Sequence, residues 1–316
     1  MRVAVIPTGR MEWNALPEAL SRLFPDHEFH SVPSVGEVAS NRDIGFPIPS
    51  FTSNDVTRFF DRENPADDLV QRAAAEAIGD RRRNRAPADL VVVLDDLELA
   101  NRHQPDAVIQ VAQEAVRRHL ARLEFRTQER TRKALRERVS LHLVVPMIES
   151  WLFADPRGPA NAGCPPDRTP RLRDVEPEDF ETHDDDYAAA TLHACTCWQS
   201  LPAARKAQQR RRNKLRPAWA GNLDRTRHPK GYLQWLCIDS SSKSCTTYDE
   251  SHGTQALTVL DWQHLLTSVR LPYLRSLVAD IADALGQEPV VGPIEGHQAP
   301  LTCRKHAPTE VLLRNL

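Results

Sequence analysis

Two uninterrupted apolar runs dominate the hydrophobic pattern of the chain, Leu90-Val91-Val92-Val93-Leu94 and Leu141-His142-Leu143-Val144-Val145. Runs of this kind, rich in β-branched residues and bounded by polar residues or proline, predict strands buried on both faces, as in a parallel sheet. Arg2–Ile6 predicts a first strand and Glu28–Val32 a second. Between them Trp13, Leu16, Leu20, Leu23 and Phe24 recur at helical spacing, which makes Glu12–Phe24 an amphipathic helix. Pro65–Ile78 is Ala-rich and helical, with Gly79 suited to its end. Pro105 opens a helix with Val108, Val111, Ala112, Ala115, Val116, Leu120 and Leu123 on one stripe, and the reading carries that helix on to Arg138. The alternation predicts an α/β fold, a parallel sheet flanked by helices with right-handed crossovers.

Beyond Asp155 the pattern changes. Residues 156–177 hold Pro, Gly and charge and read as a linker or surface excursion. Tyr187–Leu201, Leu257–Leu266 and Tyr273–Leu285 read as helices, the last ended by Gly286. The expected organisation is therefore an α/β domain over 1–155, a mostly helical region over 156–286 and a tail over 287–316.

The acids at the ends of the two long strands point to chemistry. The first run delivers Asp95, Asp96 and Glu98, and the second delivers Glu149 beyond Pro146. Ligands of open α/β sheets sit outside the carboxyl ends of the strands. Acids gathered there suit Mg²⁺, or Mn²⁺, which takes oxygen ligands and needs only one or two protein carboxylates when phosphate completes the shell. The same acids equally suit helix capping. The sum of charges, −2, selects no partner, but its distribution is uneven. Arg205, Lys206, Arg210, Arg211, Arg212, Lys214 and Arg216 form a run without acids, flanked by Trp198 and Trp219. Such a strip suits nucleic-acid phosphates with aromatic stacking, or forms a solvated helix face. Lys230 is a further phosphate candidate. No run reaches the roughly 18 apolar residues of a membrane span. The six irregularly spaced cysteines suggest buried thiols in a reducing compartment, with cytoplasm the expected location; the spacing of Cys195, Cys197, Cys237 and Cys245 is poor for zinc.

The string Pro146-Met147-Ile148-Glu149-Ser150-Trp151-Leu152-Phe153-Ala154-Asp155 resembles the I-E-x-W-L-x-A-D signature of Toprim-like proteins of uncharacterised function, many of them bacterial. Leu90–Asp96 resembles their central acidic motif, and Glu12 the glutamate of their first motif. Weaker echoes lie at His228-Pro229-Lys230-Gly231-Tyr232-Leu233 and Gly253-Thr254-Gln255-Ala256-Leu257. The resemblance implies a Toprim-like fold holding Mg²⁺ on carboxylates, relatives that act on phosphodiesters, and anti-phage systems in which such proteins stand beside an ATPase. It departs from the pattern in two places: Pro7-Thr8-Gly9 stands where Glu-Gly follows the first strand, so that Glu12 arrives a turn later, and the usual Asp-x-Asp appears as Asp95-Asp96-Leu97-Glu98. On this basis Glu12, Asp95 and Glu149 are expected to be catalytic, and Glu12, Asp95, Asp96, Glu98 and Glu149 to hold metal. DNA or RNA is the expected substrate, cleaved as a nuclease (hydrolase) in defence. A non-catalytic subunit docked on an ATPase or a nucleic acid, and an enzyme of small phosphorylated molecules, are the alternatives.

Overall fold

The computed structural model describes residues 1–34, 38, 48–59, 64–80, 85–190, 224–238, 248–288 and 311–316. In chain order the elements are β1 (Arg2–Pro7), α1 (Arg10–Leu23), β2 (Glu28–Ser31), α2 (Pro65–Ile78), β3 (Leu90–Asp96), α3 (Glu98–Asn101), α4 (Pro105–Ala121), α5 (Phe125–Arg138) and β4 (Val139–Val144). They continue with α6 (Glu149–Ala154), α7 (Gly158–Asn161), α8 (Asp185–Ala189), α9 (Pro229–Leu236), α10 (Glu250–Thr258), α11 (Trp262–Ser268) and α12 (Pro272–Leu285). The chain divides into two compact units, residues 1–145 with 262–316, and residues 146–261. This differs from the boundary expected at 155; of the loosely attached tail expected at 287–316, residues 311–316 pack in the first unit, and 289–310 lie outside the described residues. The apolar stripe of α12 and the leucines of 311–316 bury against the sheet unit, so sequence order misleads about membership.

The first unit is an α/β fold built on four parallel strands in the order β2-β1-β3-β4. Register pairs Pro7 with Leu94 and Asp96 with Val144. Alternate strand residues face opposite sides. Ala4, Ile6, Val91, Val93, Val139, Leu141 and Leu143 share a core with α2, α4 and α5, while Val3, Val5, Val92 and Leu94 are buried on the other face. Both faces are covered, which explains why these strands read as unbroken apolar runs. Helix α2 starts as expected at Pro65, with Asn64 and Asp67 forming a reciprocal cap. Gly79 follows it at φ 72°, and Gly286 ends α12 in the left-handed region.

The long helix expected from Pro105 to Arg138 is two helices. Its buried stripe ends at Leu120, the turn tightens through Arg122 and Leu123, and α5 starts anew to bury Thr131 and Leu135 against α2 and β4. The helix expected over Leu257–Leu266 likewise becomes α10 and α11, broken at 259–261, where the chain passes from one unit to the other. Only Asp185–Ala189 of the helix expected near 187–201 is seen, because Ala190 is extended; residues 191–223 lie outside the described ones.

Residues 311–316 finish the first unit. The Asn315 side chain accepts from Leu141 N at 3.0 Å and donates to Leu141 O at 2.7 Å, and Arg314 N donates to Val139 O at 2.7 Å. The segment thus occupies the free edge of β4. Arg314 also pairs with Asp280, whose Oδ2 lies 3.1 Å from His142 Nε2. These partners hold the buried Asp280 carboxyl down at about 2 against its desolvation. A carboxyl lowered on folding stabilises above its unfolded value near 4, and the contribution is lost as pH falls through 2. Asp280→Asn is therefore expected to cost about 2 kcal/mol at pH 7 and far less near pH 2. Urea unfolding at both pH values checks this, and an equal loss at the two would refute it.

The second unit is helical. Helix α6 packs on α7, α9 and α10. Phe153, Phe180, Tyr187, Tyr232 and Trp235 form a continuous aromatic cluster. The stretch expected as a linker is partly packed in this unit: Gly158, Pro159, Ala162 and Cys164 are buried, and a Cβ on Gly158 would strike Leu152 O. Among the described residues no helix is long and apolar enough to cross a membrane.

Candidate functional site

The carboxyl ends of β1 and β3 lie side by side, and the chain leaves them in opposite directions, from β1 towards β2 and from β3 towards β4. Such a switch point opens a crevice at the sheet edge. Thr8 follows β1 and Asp95 lies near the end of β3; the Thr8 hydroxyl donates to Asp95 Oδ1 at 2.5 Å. Gly9 is the residue before α1, and Glu12 sits three residues later, buried, with its carboxylate folded back over Gly9 so that a Cβ there would collide with it. An acid in this position complements the open N–H groups and positive end of the helix. Sequence reading placed Glu12 near the strand ends, and the structure puts it there, through the turn at Thr8-Gly9.

Asp95 is 1% exposed. Its second oxygen accepts from Phe51 N at 3.1 Å, and the Ser50 and Thr52 hydroxyls lie beside it. Burial pushes the carboxyl up to about 6 even though these donors pull the other way. The loop around Phe51 is held from a second side by Asn101, fully buried at the end of α3, which accepts from Val56 N and donates to Thr52 O and Asn54 O. Thr52 in turn donates its hydroxyl to Asp96 O. Asp95 thus ties residues 50–52 to the sheet edge, and its oxygens are spent on that task. Thr8, Ser50, Thr52 and Asn101 escaped sequence reading. Only Thr8, beside Gly9 at the end of a predicted strand, carried a local signal.

Asp96 is half-buried and, by strand alternation, faces the side opposite Asp95, with Val92 and Leu94. Right-handed crossovers place α1, which packs on β1 and β2, on that side. Two residues on, Glu98 adopts φ 59°, a left-handed conformation uncommon for a residue with a side chain. Leu97 N bonds Val144 O at 2.7 Å, so the backbone turns sharply while still tied to β4. Strain of this kind concentrates at functional edges.

Glu149 belongs to the second unit, where it opens α6 and is 4% exposed. Its Oε1 lies 3.2 Å from the Tyr248 hydroxyl and 3.7 Å from Lys230 Nζ. Lys230 stands at the start of α9, next to the capping His228, whose Nδ1 accepts from Gly231 N at 3.1 Å. Burial, and then the Lys230 charge, lower His228 to about 4, so the ring is neutral at pH 7 with its remaining proton on Nε2. The stretch around Glu149 and the stretch around Lys230 therefore meet, although eighty residues separate them. Other residues of the same stretches are structural: Trp151 is core, Asp155 accepts from Arg157 N and Asp261 N, and Tyr232 donates to Asp184.

Among the described residues no group of three or more His, Cys, Asp or Glu forms a metal-binding arrangement. Within the first unit, Glu12, Asp95, Asp96 and Glu98 form no such group. Asp95 serves as a tie, and Glu149 keeps company with a lysine and a tyrosine. The basic run Arg205–Arg216, with Trp198 and Trp219, lies outside the described residues.

No protein-family model, curated protein or solved structure matches the chain.

Proposed function

We propose that the first unit binds nucleic-acid phosphate at the carboxyl edge of β1 and β3 and that the chain cleaves phosphodiesters with the help of Mg²⁺ or Mn²⁺. The observation that carries this reading is the adjacency of β1 and β3 at a switch point, which brings Thr8-Gly9-Glu12 and Asp95-Asp96-Glu98 to one edge. The donor set fits a hard cation of the kind held by one or two carboxylates and completed by water and phosphate. Glu12 and Asp96 would hold it, with Glu98 close in sequence, and Asp95 would act by positioning Thr8 and residues 50–52. Such an ion supplies charge neutralisation and an activated water. The resemblance of Leu90–Asp96 and Ile148–Asp155 to Toprim-like proteins supports the same reading, and with it a role in bacterial defence, in the cytoplasm, beside an ATPase.

A basic surface of the first unit supports a nucleic-acid substrate. Helix α5 presents Arg126, Arg130, Lys133 and Arg136 to solvent against the acids Glu129 and Glu137, and Phe125 at its start is 77% exposed. Cations neutralise phosphates, and an exposed ring can stack on a base.

The test is incubation of the purified chain with plasmid and with RNA in Mg²⁺ or Mn²⁺, alongside a Glu12→Gln/Asp96→Asn double variant. Divalent-dependent cleavage is expected, reduced about 100-fold or more in the variant. Undiminished cleavage by the variant rejects the assignment. A second reading is favoured by the full engagement of the Asp95 oxygens: a non-catalytic subunit that docks on nucleic acid or an ATPase. Salt-dependent nucleic-acid binding with neither cleavage nor Mg²⁺ heat in calorimetry would establish it instead.

A further inference from the structure

Away from the carboxyl edge, the second unit holds two cysteines against one turn. Cys164 follows α7; its backbone N–H bonds Pro159 O, and its thiol donates to Arg168 O at 3.2 Å. Cys237 ends α9, and its sulfur lies 3.8 Å from Ala162 O, two residues before Cys164. Arg168 fastens the two pieces together, its guanidinium donating to Trp235 O and Leu236 O at 3.1 and 3.0 Å. Neither cysteine is in a disulfide; both are buried, and Cys237 Sγ reaches the backbone two residues from Cys164.

We propose that Cys164 and Cys237 form a reversible intramolecular disulfide, a redox modification site that clamps the end of α9 to the turn after α7. The proposal stands independently of the phosphodiesterase reading. The end of α9 is tied through Arg168 to the turn that carries Cys164, and Cys237 Sγ already touches that turn at Ala162 O, so the two sulfurs are placed for approach to bonding distance. The pair is also asymmetric in the way a reactive dithiol requires. Cys164 is 7% exposed and Cys237 is fully buried. The neighbouring Cys237 thiol, and then the charge of Arg168, hold the Cys164 thiol below its ordinary value, whereas the neighbouring Cys164 and burial push Cys237 up. Cys164 is therefore the attacking thiolate and Cys237 the resolving thiol.

The oxidant is hydrogen peroxide. The Cys164 thiolate attacks a peroxide oxygen, the O–O bond breaks, and hydroxide leaves and takes up a proton as water. Cys164 becomes a sulfenic acid. The Cys237 sulfur then attacks the Cys164 sulfur, the S–O bond breaks, and a second water leaves with the Cys237 proton. The net change is two thiols and one peroxide to one disulfide and two waters. Thiol exchange with a reductant reverses it.

The test uses the full chain with Cys195, Cys197, Cys245 and Cys303 replaced by Ser, reduced, then treated with equimolar hydrogen peroxide and trapped with an alkylating agent. Intact mass is expected to show loss of two hydrogens and no alkylation, and digestion to show a peptide joining 164 to 237. Cys237→Ser in the same background is expected to stop at a dimedone-reactive sulfenic acid on Cys164, and Cys164→Ser to remain reduced. The oxidised form should melt about 4–8 °C higher than the reduced form, returning with dithiothreitol. Alkylation of both thiols after peroxide, or sulfenic acid that persists on Cys164 with Cys237 present, would overturn the assignment. So that the result does not hinge on the Ser background folding, the same digest on the unmodified chain is decisive by itself: a 164–237 peptide supports the proposal, and Cys164 joined to any other cysteine sinks it.

Discussion

Asp95→Ala is expected to destabilise the metal-free protein by about 2–4 kcal/mol at pH 7. The substitution strands Phe51 N and the Thr8 hydroxyl, which donate to the carboxylate. Each donor left buried and unmet costs about 1–3 kcal/mol, and part of that is offset because the wild-type charge is itself costly to bury. Urea unfolding in EDTA measures the difference. The sign separates two roles for this residue. A ligand in a mutually repelling acid cluster would make the apo protein more stable when removed, so a gain would defeat the role of tie. The pH dependence points the same way. A carboxyl raised to about 6 on folding binds a proton in the native state, between pH 4 and 6, that the unfolded chain has released. Its contribution to stability therefore grows as pH falls from 7 to 4, by about 2–3 kcal/mol. Asp280 acts in the opposite sense, and only below that window.

Removal of residues 311–316 is expected to cost about 4–7 kcal/mol, enough to unfold much of a domain of ordinary stability. Leu313 and Leu316 are buried in the core shared by α2, α4 and α5, and each contributes about 1.5–3 kcal/mol. The amide of Asn315 adds two hydrogen bonds to Leu141, and Arg314 adds its pairs with Asp280 and Asp283. Stripping the segment also exposes the free edge of β4, a template for association with another chain. Urea midpoint and light scattering report the two effects together. Asn315→Ala keeps both leucines and should cost only about 1–2 kcal/mol without oligomers. A truncated chain with an unchanged midpoint would show that the segment is decoration.

The parallel sheet was legible because strands buried on both faces carry few polar residues; β4 keeps Ser140 and His142, and both are buried. Leu90–Leu94 and Leu141–Val145 could hardly be anything else, and the acids after β3 were visible for the same reason. The roles of those acids were less visible. Asp95 and Asp96 look equivalent in sequence, yet one residue of strand advance turns them to opposite faces: one meets a loop that consumes its oxygens, the other stays half-open. Asn101 and Thr52 gave no signal, since a polar residue after a helix turn or inside a loop looks the same whether it clamps a backbone or faces water. The proximity of Lys230 to Glu149 was equally hidden.

Local periodicity and capping chemistry, which depend on residues a few positions apart, determined the order of strands and helices, the start at Pro65, the ends at Gly79 and Gly286, and the placing of acids at strand ends. Tertiary structure decided whatever depends on residues far apart: that β1 neighbours β3, that Asp95 is a tie, that Glu149 pairs with a lysine and a tyrosine, that 262–288 and 311–316 rejoin the sheet unit, and that Cys237 at the end of α9 meets the turn carrying Cys164. Contacts closed over dozens of residues leave no period in a sequence, because their energy comes from complementarity of surfaces and partners that exist only once both sides are folded.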